Sequence, residues 1–228
     1  MLDRSEVINY FIAALKLTSY LEIGVEAGIT FNAVDASRKM AVDPAFKIAQ
    51  SELKGASLQI TSDAFFDNNL TDRFDLIFID GLHTFEQSLR DVLRSLTRLP
   101  ENGVLIIDDC YPSDYLASLR DHGLCALSKE SEGSPDRNWM GDVYKTVLFI
   151  NEFYDSLDFS YVRDTMGIVV VWKTLRKLAP LFPENPIADI VNLEYARFKH
   201  TLFAKLPQMS LSQILDCIKS SHSAPQVG

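Results

Sequence analysis

Two strongly apolar runs in this 228-residue chain each end in acid: residues 74–83 read FDLIFIDGLH and residues 103–109 read GVLIIDD, with one helix-length segment between them. Two parallel strands joined by a right-handed helical crossover bring their carboxyl ends side by side, and ligands of open α/β sheets bind outside those ends. Three carboxylates, Asp80, Asp108 and Asp109, and the imidazole of His83 are therefore expected to meet at one sheet edge.

The alternation extends in both directions. Val7, Ile8, Phe11, Ile12 and Leu15 fall at helical spacing over residues 5–17. Strands are predicted at 20–25, 39–44 and 58–63, and a helix at 30–38. Between the two acid-ended runs, residues 84–99 place Phe85, Leu89, Val92, Leu93 and Leu96 on one helical face. Residues 110–139 read as a long polar loop, and 141–155 as a helix. Residues 160–163 and 167–173 read as strands joined by a tight turn at Asp164–Gly167, an antiparallel hairpin. The expected fold is α/β, a doubly wound sheet of seven mostly parallel strands ending in that hairpin. Residues 176–228 are expected to form a C-terminal helical extension, with helices near 187–205 and 210–220, packed on the main domain of residues 1–175; the last eight residues are expected to fray.

Composition narrows the partners. A net charge of −9 and a pI near 4.9 argue against a broad footprint on nucleic acid or an anionic membrane surface, and favour a small neutral or cationic ligand. Cys110, Cys125 and Cys217 have no metal-type spacing and leave an odd thiol, which points to a reducing, cytoplasmic setting. No apolar run has the length of a membrane span, and the opening residues Asp3, Arg4 and Glu6 do not read as a signal segment.

The turn after the first strand carries Glu22-x-Gly24-x-x-x-Gly28. Two glycines let backbone pass close to a ligand, but a pyrophosphate turn prefers three in the G-x-G-x-x-G spacing. Glu26 would repel a phosphate, so an acidic turn suits a cationic ligand better. Together with Asp43 ending the second strand, Ser62-Asp63 after the third and the closing hairpin, this order resembles the class I S-adenosylmethionine-dependent methyltransferases, whose sheet is Rossmann-like. The stretch Asp80-Gly-Leu-His83, then Asp108-Asp109 and the later 141–145 segment GDVYK, is similar to the small methyltransferases found near sugar and natural-product genes and to metal-dependent O-methyltransferases.

The resemblance implies that residues 1–175 bind S-adenosylmethionine. Gly24 and Gly28 would line its methionine part, with Glu22 near the amino group. Asp43 would take the ribose hydroxyls, Ser62 and Asp63 the adenine, and Asp80 would border the same cleft. Many members have glycine where this chain has Glu26. The resemblance also implies a divalent cation such as Mg²⁺ on Asp80, Asp108 and Asp109. A single acid at a strand end often only caps a helix, but three converging acids raise one another's pKa unless a cation lies among them. His83 is the candidate general base for a small hydroxylated acceptor. His122, His200 and His222 lack such company. A cation-independent methyltransferase using His83 alone, an NAD-binding oxidoreductase and a non-catalytic relative are the competing readings, and a homodimer through the C-terminal helices is open.

Overall fold

The computed structural model describes residues 1–68, 71–177 and 179–223. Its strands are β1 (Ser19–Ile23), β2 (Arg38–Val42), β3 (Ala56–Leu58), β4 (Leu76–Ile79), β5 (Val104–Ile107), β6 (Leu157–Val162), β7 (Val169–Lys173) and β8 (Gln208–Met209). They form one sheet in the order β3-β2-β1-β4-β5-β7-β6-β8, with β7 antiparallel to both neighbours and the other pairings parallel. An all-parallel dinucleotide sheet has no antiparallel strand inserted beside the fifth position. The expected seven strands are eight, because residues of the C-terminal extension add β8 beside β6 and so cover the edge that the hairpin would have left open.

Alternation along the strands splits the core in two. Leu76, Phe78, Val104 and Ile106 pack with Val7, Phe11, Trp172 and Ile214, whereas Ile77, Ile79, Leu105 and Ile107 pack with Val92, Val147 and Phe198. The first set faces α1 (Arg4–Leu15) and α9 (Leu211–Ser223), and the second faces α4 (Phe85–Leu96) and α6 (Tyr144–Phe153). Every residue of β4 and β5 is buried, which is why both runs are apolar without alternation. The extension thus reaches both faces. α7 (Pro186–Val191) and α8 (Tyr195–Arg197), followed by a π-turn at Phe198–Leu202, lie with α6, while α9 lies with α1. The helix expected at 187–205 is broken at 192–194, and α9 runs to Ser223; residues 224–228 of the expected frayed tail lie outside the described residues.

Three local expectations change for identifiable reasons. α2 (Ile29–Ala33) is shorter than expected, because Lys39 Nζ donates to the Phe31 and Val34 carbonyls at 2.7 and 2.9 Å and satisfies the helix end there. β3 ends at Leu58 rather than 63, because Thr61 Oγ1 accepts from Ala64 N at 3.2 Å and starts α3 (Ser62–Asn68). The long polar loop contains α5 (His122–Ser131), capped by Asp121, whose carboxylate accepts from Leu124 N at 2.7 Å. Lys129 of this helix is fully buried and held by Asp136, Asp114 and the Asn138 carbonyl, a polar anchor that hydrophobic periodicity does not reveal.

α1 begins with a capping box: Asp3 Oδ1 accepts from Glu6 N and Glu6 Oε2 accepts from Asp3 N, both at 2.8 Å. Asp3→Ala should lower stability by about 1 kcal/mol, read as a fall of roughly 2–4 °C in thermal midpoint. An unchanged midpoint would show that packing alone sets the start of α1.

Candidate functional site

β4 and β5 pair with Leu76 opposite Val104 and Ile79 opposite Ile107, so the next residues, Asp80 and Asp108, emerge side by side. Asp80 N donates to the Ile23 carbonyl at 2.8 Å and Asp108 N to the Ile79 carbonyl at 3.0 Å, extending the ladder past the last strand residue. Asp109 then turns into left-handed backbone, with φ of 58°. A non-glycine residue held there costs of order 1 kcal/mol and is found where neighbouring structure imposes it. The turn sends the adjacent carboxylates to different partners, Asp108 to Arg4 and Asp109 to His83.

His83 ties the cluster together. Its Nε2 lies 3.2 Å from Asp80 Oδ1 and 3.1 Å from Asp109 Oδ2, and its Nδ1 lies 2.8 Å from the Trp139 carbonyl. A carbonyl only accepts, so Nδ1 carries the proton and Nε2 faces the carboxylates. Burial works against charge on this ring, but Asp80 and Asp109 outweigh it and hold its pKa at about 9. The ligand atoms of Asp80, His83 and Asp109 all lie within 4.8 Å of one another. Asp109 is itself buried, and burial together with the Asp108 charge pushes its carboxyl well above the usual range.

A cavity of about 490 Å³ opens over this cluster, lined by His83, Asp108 and Asp109 on its floor. Trp139 and Met140 form part of its wall, supplied by the 110–140 segment; Trp139 packs against His83 with ring centroids 4.9 Å apart, and its Nε1 donates to the Leu119 carbonyl at 2.7 Å. Met1–Ser5, Ile29, Thr30, Met166 and Ile168 line it too, whereas among the described residues none of the C-terminal extension does. The polar floor and apolar wall suit a ligand with one polar end.

The residues expected to hold a cofactor divide into two groups. Glu22, Gly24 and Asp80 come together: Gly24 sits with φ of 83°, and a Cβ there would lie 1.9 Å from the Asp80 carbonyl oxygen. Glu22 is buried and accepts from Tyr20 Oη at 2.5 Å. Asp43 holds the turn from its far side, Oδ2 accepting from Val25 N and Glu26 N and Oδ1 from Ala45 N, at 2.7–2.8 Å. Three of its roughly four lone-pair positions are thereby used. Glu26 adopts left-handed backbone, with φ of 49°, and its exposed side chain pairs with Lys47, so a glycine-like conformation persists without the glycine. Gly28 begins α2. Ser62 and Asp63, in contrast, turn to α4: Gln87 Nε2 donates to Ser62 Oγ at 3.1 Å, and Asp63 pairs with Arg90 at 3.3 Å and Arg94 at 3.6 Å. The donor set around the turn, three carboxylates from Glu22, Asp43 and Asp80, suits a sulfonium and an ammonium rather than a pyrophosphate.

Two placements had no sequence signal. Arg4 reaches across from α1 to pair with Asp108 and, at 3.5 Å, with Asp80. Asp142, which precedes α6 in the chain, holds the start of α4: it accepts from Phe85 N at 2.7 Å and pairs with Arg120 at 2.8 Å and Lys145 at 3.3 Å. Lys145 is buried and also donates to the Val191 carbonyl, joining α6 to α7.

Residues 21–110 match the family described as a methyltransferase domain. No protein with a curated description matches the sequence. Among solved structures, an O-methyltransferase from Bacillus cereus in complex with SAH is 14% identical, covering 76% of this chain and 83% of its own with a TM-score of 0.51. The O-methyltransferase TomG of Streptomyces achromogenes, involved in tomaymycin synthesis and in complex with SAM, is 13% identical over 76% and 82% of the chains, with a TM-score of 0.50. An SAH-bound methyltransferase from Podospora anserina is 16% identical over 76% and 80%, with a TM-score of 0.51. At such identities the likeness concerns the fold, which is that of the class I methyltransferases. Among the described residues, no helix is long and apolar enough to cross a membrane.

Proposed function

We propose that this chain, which carries a methyltransferase domain over residues 21–110, is an S-adenosylmethionine-dependent O-methyltransferase acting on a small hydroxylated acceptor, a sugar, phenol or natural product, with help from a divalent cation. The observation that carries the reading is the convergence of Asp80, His83 and Asp109 within 4.8 Å, with His83 and Asp109 lining the cavity. S-adenosylmethionine supplies a methyl group already activated on a sulfonium, and a divalent cation supplies Lewis-acid polarisation of a hydroxyl and charge balance for carboxylates.

The protein's own work is orientation and proton handling. The glycine turn, pinned to the backbone of Asp80, places the cofactor side beside the floor of the acceptor side. The apolar wall excludes water, and holding an oxygen against a methyl carbon in line with its leaving sulfur supplies several kcal/mol by itself. His83 is the proton acceptor: with Nδ1 committed to the Trp139 carbonyl, only Nε2 can take the proton of the acceptor hydroxyl. A ring already protonated cannot do so, and Asp80 and Asp109 hold it protonated at neutral pH. Uptake therefore requires that another positive charge balance those carboxylates. The hard carboxylate oxygens of Asp80, Asp108 and Asp109 are donors suited to Mg²⁺ or Mn²⁺, and a cation held by them would leave Nε2 free for the proton. A cation-independent methyltransferase of the same fold is the second reading, favoured by the Arg4 guanidinium already lying on Asp108 and Asp80.

Calorimetry with S-adenosylhomocysteine, combined with methyl transfer to a panel of hydroxylated acceptors in Mg²⁺ and in chelator, tests the reading. Asp109→Asn should keep S-adenosylhomocysteine affinity within a few-fold and lose on the order of a hundredfold in turnover. Equal turnover in chelator and in Mg²⁺ would select the cation-independent reading. Binding of NAD in place of S-adenosylhomocysteine would remove the methyltransferase reading altogether.

A further inference from the structure

The N-terminus of α1 does not pack like an ordinary helix start. The capping box fixes Asp3 and Glu6, and Leu2 N donates to the Asp164 carbonyl at 2.9 Å, tying the first residues to the β6–β7 turn. Between these two anchors, Arg4 points into the acceptor cavity, where its Nε meets Asp108 Oδ2 and its Nη2 lies 3.5 Å from Asp80 Oδ2. One planar guanidinium thus bridges two of the three acids expected to hold a divalent cation, in the space that a bridging cation would need. Asp108 is 4% exposed, while the Arg4 side chain is 45% exposed, so of the two partners only Arg4 is free to leave. Met1–Ser5 line the same cavity, and a movement of Arg4 would carry that wall with it.

We propose that Arg4 is a resident counter-ion which holds the N-terminal segment over the acceptor cavity and gives up Asp108 and Asp80 when a divalent cation takes them, so that cation loading and opening of that wall are one event. The proposal rests on the cation-assisted reading of the site. A guanidinium and a divalent cation repel when they share carboxylate oxygens, so each lowers the occupancy of the other by the same factor. In the closed form Arg4 neutralises Asp108, a buried acid that would otherwise lie without a counter-charge of its own. In the open form the cavity gains the volume that Met1–Ser5 now fill, which couples acceptor entry to a charged floor.

The test is Mn²⁺ binding to the full chain by calorimetry, with hydrogen exchange of residues 1–12 measured in parallel. Arg4→Gln should bind Mn²⁺ roughly tenfold more tightly than the unsubstituted protein, and Arg4→Lys should fall between them. Mn²⁺ should speed exchange of residues 1–12 in the unsubstituted protein. Asp108→Asn, which removes the partner and keeps Arg4, should show that faster exchange with no Mn²⁺ added, and keeps the proposal testable should Arg4→Gln fail to fold. Equal Mn²⁺ affinity in Arg4→Gln and the unsubstituted protein, with exchange unaffected by Mn²⁺, overturns the competition while leaving the cation site standing. No Mn²⁺ binding by any form overturns both.

Discussion

Gly24→Ala and Gly141→Ala should each destabilise the protein by more than about 3 kcal/mol, while Gly133→Ala should cost about 1 kcal/mol or less. All three glycines have positive φ, of 83°, 58° and 65°, so the backbone strain of a side chain is similar at each. They differ in what a Cβ would meet. At Gly24 it would lie 1.9 Å from the Asp80 carbonyl oxygen, at Gly141 1.7 Å from the His83 carbonyl oxygen, and at Gly133 nothing lies within 4 Å. Backbone atoms cannot rotate out of the way, so the loops must part. The two tight glycines lie against the backbone of the cluster residues Asp80 and His83, which means that the same substitutions should also widen the cluster. Urea unfolding followed by circular dichroism measures the ranking. A loss below about 1 kcal/mol for Gly24→Ala would show that the glycine turn can leave β4 without cost, and would remove it as the device that aligns the cofactor and acceptor sides.

The parts of the site legible in the sequence are those built from neighbours along the chain or from strand periodicity. Asp80, His83, Asp108 and Asp109 could be placed because two buried strands advertise themselves as apolar runs, and parallel pairing fixes where their ends go. The glycine turn and Asp43 follow the same logic. What escaped detection is what depends on how a distant segment crosses the sheet edge. Nothing in residues 1–6 says that Arg4 will meet Asp108, since the pairing depends on the tilt of α1 over the first face of the sheet. Nor does Trp139 announce that its carbonyl, rather than its ring alone, will fix the tautomer of His83. Ser62 and Asp63 stand in the chain order of the family pattern, but their contacts were not legible there: Thr61 starts α3, and the two side chains meet Gln87, Arg90 and Arg94 of α4. The eighth strand is only two residues long, too short to leave any periodicity.

The acid beside the glycine turn carries a stability cost that pH can expose. Glu22 is 2% exposed, and its burial, with Asp80 nearby, lifts its pKa from 4.5 to about 8 in spite of the hydrogen bond from Tyr20. Below 4.5 the folded and unfolded chains both hold the proton, and the residue is neutral in each. As pH rises through 4.5 the unfolded chain loses its proton while the folded one keeps it until about 8, so stability falls across that window. The loss approaches 4–5 kcal/mol as a rough upper bound, since neighbouring groups relax when the carboxylate finally ionises. Glu22→Gln keeps an oxygen to accept from Tyr20 Oη and carries no titratable group. It should therefore match the unsubstituted protein near pH 4.5 and exceed its stability at pH 8 by a few kcal/mol, measured by urea unfolding at a series of pH values. Parallel stability curves for the two proteins would mean that the Glu22 carboxyl titrates normally and that water reaches it. A chain that keeps so costly an acid beside its glycine turn has a use for a carboxyl that a bound cation would ionise there. On the cofactor reading, that use is to meet the ammonium of S-adenosylmethionine, so the stabilised Glu22→Gln protein should also bind S-adenosylhomocysteine, which carries the same ammonium, on the order of tenfold more weakly.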